Sequence, residues 1–289
     1  MGVFRRSGSR IRLEDYAVES FPVTAGHDDK WLENTKAALA SLRHRAQLTG
    51  PVVLVLPAHL VLTKLVKAPP VAAAKLRKII QFEAAQGIPY DLADVVWDSV
   101  IASEETDGLM VLLAAAKLAA ATSLCAAAQA AGFEPRLILP APLATLASFR
   151  LTPSVSDGPT LVLNLGERST TLLLVEAGRF FLRTLPFGGN GANRQIASRQ
   201  DGGREEAGTA NAAEALAARL TQEITRTVLH FRRPGGLTPP AHVLLTGGGA
   251  QLAGLAEALT GRLRVPVGQL DVLAGIQIAN DAAPGGATC

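Results

Sequence analysis

Four residues in one tight stretch have the chemistry to hold an anion. They are Gly166, Arg168, Ser169 and Thr170, within the run GERST. A glycine turn between two strands presents consecutive backbone N–H groups, and the Ser169 and Thr170 hydroxyls add donors. Such a turn suits a phosphate. The same composition makes an ordinary β-hairpin, and the stretch by itself leaves both readings open. A second cluster, Gly247, Gly248 and Gly249, follows the apolar run 242–246. It serves either close approach of backbone to a ligand or simply a tight strand-to-helix turn.

The elements that position these residues are legible. Residues 160–165 are mostly apolar and rich in branched side chains, which predicts a buried strand. Residues 166–169 form the turn. Strands are predicted at 170–175 and 180–185, with Gly178 in the turn between them. After the glycine triplet, Leu252, Leu255, Leu259 and Leu263 recur at spacings of three and four, one face of a helix.

The two glycine segments together resemble the nucleotide-binding segments of the actin-like ATPase fold. The chain is most similar to the PilM family of type IV pilus assembly proteins. The stretch that separates this family from actin-like proteins in general is FEAAQGIPYDL at 82–92, continuing to Asp98. It looks like the family's helix–IP–strand signature. The resemblance runs from Val3 to Leu273. It implies an α/β chain with an actin-like ATPase (ribonuclease H-like) two-lobe fold and an inserted small β-α-β-β-α-β subdomain. It implies ATP and Mg as cofactors. Phosphates would lie at Gly166, Arg168, Ser169 and Thr170, magnesium near Asn164, and adenosine at Gly247, Gly248 and Gly249. It assigns no catalytic residue and no protein metal ligand.

The chain order supplies expected boundaries. A strand-like segment at 11–23 precedes a helix opening at Asp28, with Leu32, Leu39, Leu42 and Ala46 inward and Gly50 as its stop. Residues 51–56 predict a buried strand. The inserted unit is expected at 57–139. It comprises a strand at 60–67, a helix opened by Pro69-Pro70, strands at 95–101 and 109–114, a helix at 119–131 and a last strand at 135–139. A helix at 143–149 returns to the first lobe, which is expected to be 1–56 plus 140–151. The polar loop 152–159 is the expected boundary. The second lobe is 158–189 plus 241–273, with a subsidiary piece at 190–240. Within that piece 198–211 reads as a loop and 214–231 as a helix. Its Leu216, Leu220, Ile224, Val228 and Phe231 lie inward, and Arg219, Glu223 and Arg226 outward. Residues 274–289 read as a tail.

Composition excludes several classes. The chain has 289 residues, 48% hydrophobic and 18% charged, enough for two ordinary domains. A net charge of +3 gives no argument for nucleic acid. Cys125 and Cys289 make no disulfide framework and fit a reducing cytosol. No signal-peptide pattern is present. The run 109–133 is alanine-rich and holds Lys117, so it is no span of about 20 strongly apolar residues. GxxxxGK[ST], GxGxxG after a strand and GxSxG are absent. The five histidines lack ligand spacing, so no zinc site is expected.

Two departures from the family bear on the nucleotide. The chain opens as MGVFRRSG, which matches the strand after the family's first phosphate loop. The loop itself is lacking. Truncated DNA, a misplaced start codon and a true loss leave the same trace. Asn164 stands where the family has an aspartate, and a neutral amide is a weak partner for a hard dication. Asn190 and Asn193 match the GGxxxT segment weakly.

Three functions compete. The first is a cytoplasmic scaffold, peripheral to the inner membrane through its partners and with a degenerate ATPase site. The resemblance gives it the N-terminal cytoplasmic tail of the pilus protein PilN as partner in a peptide groove. Pilus motor ATPases and further copies of itself are the other partners. The second is a working actin-like ATPase. The third is the cytoplasmic domain of a type II secretion protein, which normally continues into a membrane helix. The expectation is the first.

Overall fold

The computed structural model describes residues 1–8, 10–20, 28–46, 48–105, 108–153, 158–189, 205–232 and 238–279. The chain opens with β1 (Gly2–Ser7) and β2 (Arg10–Tyr16), an antiparallel hairpin. Helix α1 (Asp28–Ala46) buries Ala38, Leu39 and Leu42. Gly50 then adopts φ 98°, which costs a glycine nothing, and the chain turns into β3 (Gly50–Leu56).

An inserted unit follows. It contains β4 (Val61–Ala68), α2 (Ala73–Gly87), β5 (Val95–Glu105) and β6 (Gly108–Lys117). The three strands form an antiparallel sheet in the order β4-β6-β5. Helix α2 covers one face, with Ile80 and Ala84 packed among Val66, Val111 and Leu113. On the other face Met110 and Leu112 join the large core of the second half.

The chain continues through α3 (Leu118–Ala130), β7 (Phe133–Pro140) and α4 (Ala141–Leu151). The element order β-α-β-β-α-β is as expected. Its last strand does not extend the inserted sheet, however. β7 pairs in parallel with β3, and α3 packs with α1 around Leu54, Leu124 and Phe133.

The second half is β8 (Thr160–Leu165), β9 (Thr170–Glu176), β10 (Arg179–Leu185), α5 (Glu205–Arg232), β11 (His242–Thr246), α6 (Leu255–Leu263) and β12 (Val267–Gln269). Its sheet is continuous in the order β10-β9-β8-β11-β12. β8 to β10 form an antiparallel meander, while β8, β11 and β12 run parallel. Leu220, Ile224, Leu255 and Leu259 from the two helices close the core over this sheet.

Several expectations are corrected. The strand at 51–56 is only half buried: Val53 is 54% exposed and Val55 49%. The loop expected at 198–211 is helix from Glu205 onward. The alanines of this stretch favour helix. Glu223 does not face out freely. It is 17% exposed and ion-paired with Arg183 and Arg226, at 3.1 and 3.0 Å. The expected tail contributes β13 (Gln277–Ile278), which pairs in parallel with β2. The Ala279 N–H donates to the Leu13 carbonyl, at 3.0 Å. The readings that fall on 198–204, on the Phe231 side chain and on 280–289 lie outside the described residues.

Candidate nucleotide cleft

The β8–β9 turn closes on itself. The Gly166 N–H donates to the Ser169 carbonyl at 3.0 Å, and the Gly166 carbonyl accepts from the Gly189 N–H at 2.9 Å. The segment after β10 therefore lies directly on the turn. A Cβ on Gly188 would fall 2.1 Å from the Gly166 oxygen, so only glycine fits.

The glycine triplet packs against the same turn. Gly247 has φ 84°, and a Cβ there would stand 2.6 Å from Asn164 Oδ1 and 2.7 Å from the Leu165 carbonyl oxygen. A Cβ on Gly249 would meet the Leu165 oxygen at 3.0 Å. Gly248 differs, since a Cβ there would meet nothing within 4 Å. The expectation separated a phosphate segment from an adenosine segment. The structure places Asn164, Gly166, Gly247 and Gly249 in one close backbone junction.

A cavity of about 240 Å³ opens beside the turn. Asn164, Gly166, Arg168 and Ser169 line it, facing Trp31 and His59. Thr170 does not line it. Side chains alternate along a strand, so Thr171 takes that side and Thr170 the other. Thr170 is fully buried, and its hydroxyl donates to the Phe187 carbonyl at 2.9 Å. Gly247, Gly248 and Gly249 are not among the lining residues. The Asn164 amide donates to Thr145 Oγ1 at 2.7 Å, and the Thr145 hydroxyl donates onward to the Ala141 carbonyl at 3.1 Å.

His59 escaped the sequence reading. It lies in the single helical turn Ala58–Leu60 just after β3. Its Nε2 is 3.0 Å from Arg168 Nη1. A guanidinium only donates, so Nε2 accepts and the ring proton sits on Nδ1. One face of the candidate phosphate arginine is thus held by a residue from the far side of the cleft. No local signal marks a pair so distant in sequence.

The lining of this cavity suits a magnesium nucleotide poorly: Asn164 is a neutral amide, a weak partner for a hard dication. Its carboxylate, Glu167, would repel a phosphate. Among the described residues no group of three or more His, Cys, Asp and Glu could hold a metal ion.

The family described as type IV pilus assembly protein PilM matches residues 3–285. This chain belongs to that family. The actin-like two-lobe α/β fold expected from the resemblance is the fold observed. A solved structure of a PilM–PilN type IV pilus biogenesis complex has a chain 23% identical to this one. The match covers 98% of this chain and 89% of that one, with a TM-score of 0.80. The cytoplasmic domain of EpsL, an inner membrane component of the type II secretion system of Vibrio cholerae, is 14% identical. It covers 73% of this chain and 67% of its own, with a TM-score of 0.41. A Bacteroides thetaiotaomicron protein with an actin-like ATPase fold is 11% identical over 86% of this chain and 77% of its own, with a TM-score of 0.43. Neither of the last two carries weight beyond partial likeness. No helix among the described residues is long and apolar enough to cross a membrane.

Proposed function

We propose that this chain is a scaffold of type IV pilus assembly that captures the cytoplasmic tail of a PilN-like inner-membrane protein. The observation that carries the reading is a groove between the inserted unit and the first lobe. Among the described residues β5 and β7 each end their sheets and leave an edge unpaired. Both edges line an apolar groove of about 210 Å³. Val96, Val100 and Leu137 stand there 46%, 40% and 53% exposed. An extended, partly apolar tail suits such a place, adding main-chain bonds to a bare edge and alternate side chains to the groove. The scaffold would work in the cytoplasm, held at the inner membrane through that partner. Motor ATPases and further copies of this chain are its other proposed contacts.

Calorimetric titration with a synthetic PilN tail peptide tests the groove. Binding to the wild type is expected, with at least about a tenfold loss, 1.4 kcal/mol, in Val100→Asp. No heat and no melting shift at high peptide concentration would refute the groove.

We also infer that ATP is bound weakly and not turned over. Phosphoryl transfer needs several positioned donors and charge neutralisation. Here the Gly166 N–H is used within the turn, and the Thr170 hydroxyl by Phe187. Micromolar ATP binding with magnesium-dependent phosphate release by the unmodified chain would sink this inference.

A further inference from the structure

The groove between β5 and β7 holds one group that apolar contact does not explain. Among the described residues that line it, Asp98 is the one charged side chain. Register fixes where it stands. Val96, Asp98 and Val100 alternate onto one face of β5, and β6 sets Ala116, Ala114 and Leu112 opposite them. Trp97 takes the other face and packs with the α2 cluster. A carboxylate therefore stands in the middle of an apolar floor, two residues from a valine on either side. Leu137 and Leu139 of β7 form the apolar wall across the groove.

In the open groove Asp98 is exposed and water solvates it. Its carboxylate accepts a hydrogen bond from the Ser99 N–H, at 2.7 Å. The ion pairs of the described residues lie elsewhere. A strand laid along β5 changes the balance. It covers Val96 and Val100 and strips water from the carboxylate between them. An apolar or acidic side chain placed beside that carboxylate would oppose binding. A cation placed there offsets the lost water with a charge-assisted hydrogen bond.

We propose that Asp98 selects the tail: the occupant carries a lysine or arginine between two apolar residues, in the pattern apolar–x–basic–x–apolar. The pattern follows from the strand period. A strand added at this edge sets one side chain beside each of Val96, Asp98 and Val100. The two apolar positions hold the tail, and the basic one fixes its register. A slip of two residues puts the cation beside a valine and leaves the carboxylate bare. An acidic segment is rejected at the same point. The inference rests on the groove reading above and adds which tails the groove admits.

The probe is the synthetic PilN tail peptide, with variants in which each lysine or arginine in turn becomes glutamine, titrated calorimetrically against the full chain. One of these exchanges is expected to weaken binding to the wild type by about tenfold. The same exchange should change little in Asp98→Asn, so that the two losses do not add. Asp98→Lys should bind the parent tail about tenfold more weakly, and recover when that basic residue becomes glutamate. Asp98 is exposed, so both variants are expected to fold, and unchanged melting temperatures check that. Affinity for the wild type should also fall with salt more steeply than affinity for Asp98→Asn. If the parent tail binds but Asp98→Asn binds it like the wild type, or no exchange to glutamine matters, the selection is overturned and the groove stands. If the parent tail does not bind at all, the groove reading falls and this inference with it. Self-association of Asp98→Asn with unchanged tail affinity would make the carboxylate a guard against edge pairing, which also overturns the proposal.

Discussion

Among the described residues β8 lies between two partner strands, and β3 has one. Both come from similar sequence, TLVLNL and PVVLVL. In β8 Leu161, Val162, Leu163 and Leu165 are at most 2% exposed. In β3 Leu54 and Leu56 are buried, while Val53 and Val55 line a cavity of about 750 Å³. The strands have similar apolar content, and their surroundings differ. A strand's burial is decided by what lies on both of its edges and both of its faces, and that is a tertiary fact.

The comparison breaks most readily on equivalent truncations. Leu163→Ala removes a fully buried side chain from the centre of the intact sheet. A loss of about 2–5 kcal/mol is expected in urea unfolding. Val53→Ala removes an exposed side chain, and a loss within about 0.5 kcal/mol is expected. Equal losses would mean that Val53 is covered in solution.

The glycine triplet offers the next test, inside the intact half alone. Gly247→Ala puts a Cβ against Asn164 and the Leu165 carbonyl at a positive φ. A cost of about 1–3 kcal/mol is expected. Gly248→Ala should cost under about 1 kcal/mol, since its Cβ meets open space. If both glycines tolerate alanine equally, the junction between β8 and the triplet is looser than described.

How much of this was legible in sequence depends on the range of the cause. The β8–β9 hairpin and the strand before the triplet were readable, because apolar runs and glycine turns are local signals. The helix face of Leu255 and Leu259 was readable for the same reason. The partner of β7 was not. An apolar run fits either sheet, and the choice rests on α3 packing with α1. Thr170 and Thr171 looked interchangeable until the strand register put one inside and the other on the cleft. Nothing in the apolar run 51–56 told that one of its edges would stand bare.

Asn164→Asp sharpens the comparison at the end of β8. The Thr145 hydroxyl hydrogen goes to Ala141, so Thr145 needs a donor from Asn164. An ionised aspartate cannot give one, and two oxygens would face each other. About 1–2 kcal/mol of stability should be lost without magnesium. The variant also supplies the carboxylate that a dication prefers. If stability returns when magnesium and ATP are added together, the amide at 164 is what keeps the nucleotide out of the wild-type cleft; no return would show that the carboxylate alone does not restore the site.

The smallest effect concerns the bond that ties the ends of the two sheets together. His59 follows β3 and Arg168 follows β8, and their 3.0 Å contact spans the cleft between the halves. Both side chains have other neighbours, so single substitutions would mix several effects. A double-mutant cycle of His59→Leu and Arg168→Leu isolates the pair. A coupling of about 0.5–1.5 kcal/mol is expected for a partly exposed hydrogen bond. Zero coupling would mean that the contact does not persist in solution.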